Sequence, residues 1–388
     1  MTALLDTVDP DGLLEYSVVY TDRSLNHMSQ RFGQAMRDIH ATLCEVYAAD
    51  HAVIVPGGGS FGMEAVVRQF ARGRRCLIVR NGFFSFRWSQ IIDMGGLDAG
   101  TRVITSRAVD DSAHAAWTPP PIEEVRAAIA EHRPEVVFAP HVETSAGLHL
   151  PDAYVKQLAE AAHEVGALMV LDCVASGTHW VSLAESGVDV LVSAPQKGWS
   201  ASPCAGLVML SERGSEWLGE TVSDSFVLDL RKWSDIMKAF LGGGHAYHST
   251  MPTDALIVFR DTMEEMRRVG FAELKTRQDA LGKRIRAAID ARGFQRVAAE
   301  GFEASGVVVV HTEDDELHSG RAFVAQGLQI AAGVPLKVGE PDSWKTFRLG
   351  LFGLDKLNDV DGTVERFERA LDEVMRARQG GAPSLATA

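Results

Sequence analysis

Long apolar runs are missing from this 388-residue chain. No uninterrupted stretch approaches the ~18 residues that a membrane-spanning helix needs. The start, MTALLDTVDPDGLLEYS, lacks the basic segment and apolar core of a secretory signal, so the chain reads as cytoplasmic. Cysteine is scarce: Cys44, Cys76, Cys173 and Cys204 are scattered, with no CxxC pair and no ligand spacing. That excludes a disulfide framework and a thiolate metal site, and the four read as small buried hydrophobes in a reducing compartment. Positive charge is also short, with 38 Lys and Arg against 52 Asp and Glu, a net of −14. Nothing concentrates enough cations to neutralise a row of phosphates, which excludes a nucleic-acid partner. There is no internal repeat, no low-complexity tract and no expected metal.

What is present is an ordinary enzyme-like composition, 46% hydrophobic and 23% charged. The length exceeds what one core supports and predicts two domains. Strand and helix signals alternate through the first two-thirds. HAVIVPGGG (51–59), CLIVRNG (76–82), TRVITS (101–106), PEVVFAPH (134–141), ALMVLDCVAS (167–176) and VDVLVSAP (188–195) read as buried strands. Helical periodicity over 26–50, 61–73, 122–132 and 153–166 separates them. Continuously apolar strands alternating with helices predict an α/β fold, a mostly parallel sheet covered on both faces. After about residue 250 the pattern changes to a long helical stretch (255–293), a strand SGVVVVHT (305–312), KTFRLGLFG (345–353) and a last helix (362–375). The expected division is an N-terminal arm 1–25, a large domain 26–265, a smaller C-terminal α+β domain 266–377 and a flexible tail 378–388.

In such a sheet, ligands bind beyond the carboxyl ends of the strands. Three sequence features fall there. Gly57-Gly58-Gly59-Ser60 lies between a strand and a helix, where backbone N–H groups and the helix dipole suit a phosphate, though turn chemistry also explains a glycine run. Its order matches neither GxxxxGK[ST] nor GxGxxG, which argues against a nicotinamide-dependent dehydrogenase. Asp172 ends an apolar strand; a carboxylate there needs a partner, either a structural ion pair or cap or the nitrogen of a bound heterocycle. Lys197 follows 25 residues later, in DVLVSAPQKGWSASPCAG (189–206), an interval of one crossover and one strand that predicts neighbouring strand ends. The small residues around it suggest room for a ring. Phosphate cradle, ring acid and amine are together the contacts that pyridoxal phosphate requires.

The segment LDCVASGTHWVSLAESGVDVLVSAPQKGWSASPCAG resembles the core of the class V aminotransferases of fold type I, above all the alanine–glyoxylate and serine–glyoxylate branch. The likeness runs from about residue 27 to 375. It implies a fold type I large domain with a smaller C-terminal domain, and pyridoxal 5′-phosphate held on Lys197 as a Schiff base. It also implies that Asp172 pairs with the ring nitrogen and that Gly58, Gly59, Ser60 and Gln196 hold the phosphate. RNGFFSFR places Phe84 as the aromatic that stacks on the ring, and HVETSAG assigns Ser145 to the ring's phenolic edge. GHAYHSTMP implies that Tyr247 and Thr250 reach the phosphate of a neighbouring subunit, hence a homodimer with shared sites. TFRLGLFG implies that Arg348 clamps the substrate carboxylate, a task suited to a planar fork.

The implied reaction is a ping-pong transamination from a small amino acid, alanine or serine, to glyoxylate or pyruvate. A 2-aminoethylphosphonate–pyruvate transaminase, or another pyridoxal-phosphate enzyme of the same fold, is the alternative. Cysteine desulfurases differ, because Gln196 rather than His precedes the lysine and no cysteine follows Cys204. Close relatives in this family begin with a Pro-Gly-Pro-Ser/Thr segment that lines the substrate pocket opposite the arginine; this chain has none, and its start reads EYSVVYTDRSLNHMS (15–29). Tyr20, Thr21 and Arg23 are expected either to replace that wall of the substrate pocket or to cross a dimer interface.

Overall fold

The structure is a computed structural model that describes residues 4–380. The expected tail therefore falls mostly outside the described residues. Its first positions belong instead to the last helix, Val360–Gly380, which continues past the expected end of the C-terminal domain.

A seven-stranded sheet forms the centre. Its strands are β1 (His51–Pro56), β2 (Cys76–Arg80), β3 (Thr101–Thr105), β4 (Val136–Pro140), β5 (Leu168–Asp172), β6 (Val190–Ser193) and β7 (Ala205–Leu210), in spatial order β1-β7-β6-β5-β4-β2-β3. β7 runs antiparallel to both neighbours, while the pairs β6–β5, β5–β4, β4–β2 and β2–β3 are parallel. Every residue of β4, β5, β6 and β7 is buried, which is why these strands read as unbroken apolar runs rather than as alternations. Each fully buried Val or Leu contributes about 1.5–3 kcal/mol relative to exposure. The sheet is thus the rigid element from which the site is built.

β7 escapes the sequence pattern, because AGLVML follows a loop of Ser, Pro and Gly rather than a helix. Its Gly206 allows very close packing: a Cβ there would lie 2.5 Å from the backbone nitrogen of Gly62 in the helix Gly59–Phe70.

The long helical stretch is two helices, Thr253–Val269 and Phe271–Asp290, broken at Gly270, whose φ of 98° few other residues tolerate. The C-terminal part adds a three-stranded antiparallel sheet of β8 (Val307–His311), β9 (Ala331–Ala332) and β10 (Thr346–Gly350), with β10 central. Arg348 stands mid-strand on β10, opposite Val309 on one side and Ala331 on the other. The four cysteines are free; Cys76, Cys173 and Cys204 are buried as expected, while Cys44 is only partly so.

Candidate active site

β5 and β6 are adjacent and parallel, with Val192 paired to Asp172. The turn after β6 then carries Lys197 back beside Asp172, as the interval between the two residues predicted. Asp172 is almost fully buried, and the hydrogen bond recorded on its side chain comes from the backbone N–H of Val174 at 2.9 Å. Burial pushes its carboxyl up to about 7, against that hydrogen bond; the nearby Glu143 carboxylate adds to the rise. The Lys197 amine is lowered from its ordinary value, first by burial and then by the Arg348 guanidinium. Its Nζ lies 5.2 Å from the centre of the Phe352 ring.

Gly198, next to Lys197, is taken up by a backbone contact. A Cβ on Gly198 would lie 2.0 Å from the carbonyl oxygen of Gly177, so the lysine turn is pressed against the loop that follows Asp172. Small size at Gly198 serves this backbone approach rather than making room for a ring.

The helix Gly59–Phe70 begins at the N-cap Gly58, which offers no side-chain cap. The first N–H groups of a helix have no intrahelical acceptor, so they remain available to an anion. Gly59 is wedged against the chain after both β5 and β6: a Cβ there would meet Val174 at 2.9 Å and Ala194 at 3.4 Å. Around Gly58 nothing lies within 4 Å of an added Cβ, so that side of the helix start is open. The Gln196 side-chain oxygen is buried without a partner, the kind of atom that a bound group satisfies once the amide is oriented.

Phe84 lies in a loop held by Glu143, a fully buried carboxylate that sequence reading left without a role. Glu143 accepts from the backbone N–H of Phe84 at 3.2 Å and Ser85 at 2.9 Å, and from the Ser85 and Ser145 hydroxyls, each at 2.7 Å. Ser145 therefore spends its single proton on Glu143 and accepts from the Phe83 N–H at 2.9 Å. It braces the loop, and any role at a cofactor's edge is restricted to its remaining lone pair.

Two guanidinium groups approach the Phe84 ring, Arg87 at 4.8 Å and Arg348 at 5.5 Å. Arg348 also donates from Nε to the Ala332 carbonyl at 2.8 Å, which fixes its direction from β10. The sheet and the C-terminal strand thus gather Lys197, Asp172, Phe84 and Arg348 into one place. Arg87, Glu143 and Phe352 belong to the same group. The sequence held no signal for Arg87 beyond its place in the quoted RNGFFSFR.

Tyr247 and Thr250 are not part of this gathering. Their hydroxyls lie 3.2 Å apart, and the Tyr247 ring, about half exposed, meets His27 at 5.7 Å. Tyr20 belongs to this second group: its hydroxyl donates to the Met251 carbonyl at 3.2 Å and its ring lies 5.6 Å from His27. Thr21 and Arg23 are exposed. The atypical N-terminal segment packs against the Tyr247 segment, not against Lys197 of its own chain.

A buried amine, a carboxyl in want of a cationic partner, an open helix start and an unpartnered buried amide are the donor set for pyridoxal phosphate, and the residues present fit it. The fold and this set define a pyridoxal-phosphate-dependent transferase of fold type I. The chain belongs to the family described as Aminotransferase class-V, which matches residues 11–340. Among curated relatives it is 26% identical to a soluble hydrogenase small subunit from a Synechococcus species, covering 90% of this chain and 88% of that one. It is 27% identical to an L-aspartate–glyoxylate aminotransferase from Paracoccus denitrificans, over 85% of this chain and 81% of that one. The crystal structure of an alanine–glyoxylate aminotransferase from a Nostoc species superposes with a TM-score of 0.75 at 23% identity, over 90% and 88% of the two chains, and shows the fold.

Proposed function

We propose that this aminotransferase moves the amino group of a small amino acid, alanine or serine, to a small 2-oxo acid, glyoxylate or pyruvate. The observation that carries the reading is the placement of Arg348: one oriented guanidinium, on a strand facing the Lys197 amine, suits the single carboxylate that all four molecules share. The likeness to glyoxylate aminotransferases supports the acceptor.

When bound, pyridoxal phosphate supplies the electron sink that lets an amino group change carriers. The chain's own residues do the rest. Lys197 would hold the cofactor and would take the proton from the donor's α-carbon; burial and the Arg348 charge keep that amine below its ordinary pKa and so ready to act as a base. Asp172 would hold a proton at the ring nitrogen, and Phe84 would pack on the ring face. Gly58, Gly59, Ser60 and Gln196 would receive the phosphate. Arg348 binds the carboxylate of donor and acceptor in turn, which is why one site serves both halves of the reaction.

We assign Tyr247 and Thr250 to the phosphate of a second subunit. Their separation from the Lys197 group and the exposed apolar side chains Leu13, Tyr16, Phe61 and Phe226 support a homodimer with shared sites. No described helix is long and apolar enough to cross a membrane, and a cytoplasmic location is the reading that the unpaired cysteines support.

The test is isotope transfer. Nitrogen-labelled alanine or serine, supplied with glyoxylate or pyruvate, should pass its label to the new amino acid. Absence of label transfer from either donor, with cofactor bound, overturns the substrate assignment.

A further inference from the structure

Arg87 is the cation that this account leaves without a task. It stands in the first turn of the helix Phe86–Gly95, directly after the loop held by Glu143, so its backbone is fixed by that buried carboxylate. Its Nη1 donates to the Ser60 hydroxyl at 3.0 Å, at the start of the helix Gly59–Phe70. Its guanidinium covers Phe84, and its charge is felt at both Asp172 and Lys197. Among the described residues no carboxylate lies within the 4.0 Å ion-pair distance of Arg87, Arg348 or Lys197.

Arg87 and Arg348 flank the Phe84 ring, and neither has a carboxylate within ion-pair distance, so the site is electrostatically incomplete. Bringing guanidinium groups together costs desolvation and mutual repulsion unless anions arrive to offset them. The substrate carboxylate answers Arg348. Arg87, on the Ser60 side of Phe84, is left to meet a second anion.

We propose that Arg87 is the counter-ion of the cofactor's phosphate, binding it beside Ser60 and the open N–H groups at the start of the helix Gly59–Phe70. A guanidinium adds charge-assisted, directional bonds to what a glycine loop offers through its backbone alone. This rests on the pyridoxal-phosphate reading and deepens it. The competing use of Arg87 is recognition of a second acidic group on the amino donor.

The two uses separate by a binding measurement on the cofactor-free protein. Dissociation constants for pyridoxal phosphate and for pyridoxal, which lacks the phosphate, are measured by tryptophan fluorescence for wild type, Arg87→Gln and Arg87→Lys. The proposal predicts about 10- to 100-fold weaker pyridoxal phosphate binding in Arg87→Gln, a smaller loss in Arg87→Lys, and unchanged pyridoxal binding, which also reports that the variants are folded. Inorganic phosphate should raise the melting temperature of the cofactor-free wild type more than that of Arg87→Gln. Unchanged pyridoxal phosphate affinity, or equal losses for both ligands, overturns the proposal. An unchanged affinity with a raised KM for aspartate alone assigns Arg87 to the donor instead. A wild-type protein that takes up neither ligand refutes the underlying cofactor reading, a different result from either.

Discussion

Gly198 and Gly177 meet backbone to backbone: a Cβ on Gly198 would lie 2.0 Å from the Gly177 carbonyl oxygen, and Gly177 itself has a φ of 63°. This contact locks the Lys197 turn onto the loop that follows Asp172, so the spacing of amine and carboxyl is set by main chain. Gly198→Ala should destabilise the protein by about 1–3 kcal/mol, as overpacking against unyielding backbone does, and displace Lys197. Denaturant unfolding checks the first effect and the cofactor absorption band the second. Gly58→Ala makes the contrast, since no atom lies within 4 Å of its Cβ, and should leave stability nearly unchanged.

Arg348→Ala should lower kcat/KM for 2-oxo acids by about 30- to 1,000-fold, the equivalent of about 2–4 kcal/mol for a desolvated carboxylate clamp. Steady-state kinetics with glyoxylate and pyruvate measure it. Unchanged oxo-acid kinetics remove the assignment.

Asp172 gives the cofactor-free protein a pH signature. Burial raises its carboxyl from the unfolded value, ~3.8 to 4, to about 7. The group's favourable contribution is therefore complete below pH ~4 and is lost as pH rises toward 7. Asp172→Asn, which carries no charge to bury, should be more stable than wild type in the cofactor-free form at pH 8 and lose that advantage near pH 4. Melting temperatures across that range decide the matter. Bound cofactor, by placing a cation at the carboxylate, should remove the wild-type penalty.

Acid acts elsewhere in the opposite sense. The rings of buried His141 and partly buried His149 meet edge to face, Nε2 to Nε2 at 3.1 Å, a contact that one shared proton satisfies and two would break. Burial, reinforced by the neighbouring imidazoles, holds His149 down at about 3 and His141 well below its ordinary value. Their contribution to stability is present above pH ~6.5 and is lost as pH falls toward 3. Wild type should lose melting temperature below pH 6, and His149→Gln should flatten that loss.

Much of this site was legible in the sequence because its chief residues end apolar strands. Asp172 and Lys197 are each a charge at the close of a buried run, separated by one crossover, and strand order made them neighbours. Arg348 was marked by the resemblance of TFRLGLFG to the family's segment. What stayed hidden depends on contacts between distant loops. Arg87 and Ser60 are 27 positions apart on two helices, and Glu143 holds a loop nearly 60 positions earlier in the chain, a pairing no local pattern encodes. β7 was hidden because it reverses direction without a helix. The backbone contact of Gly198 was hidden because a glycine that admits a ligand and one that admits another backbone look alike in a sequence.

The central claim, that Lys197 carries pyridoxal phosphate in a transaminating site, is tested most directly by absorption. Purified protein loaded with cofactor is compared with Lys197→Ala, before and after alanine or serine is added without an acceptor. Wild type should show a lysine-dependent visible band that a donor converts to the amine form of the cofactor and that glyoxylate or pyruvate restores; Lys197→Ala should show neither the band nor turnover. The same band and full turnover in Lys197→Ala would contradict the account.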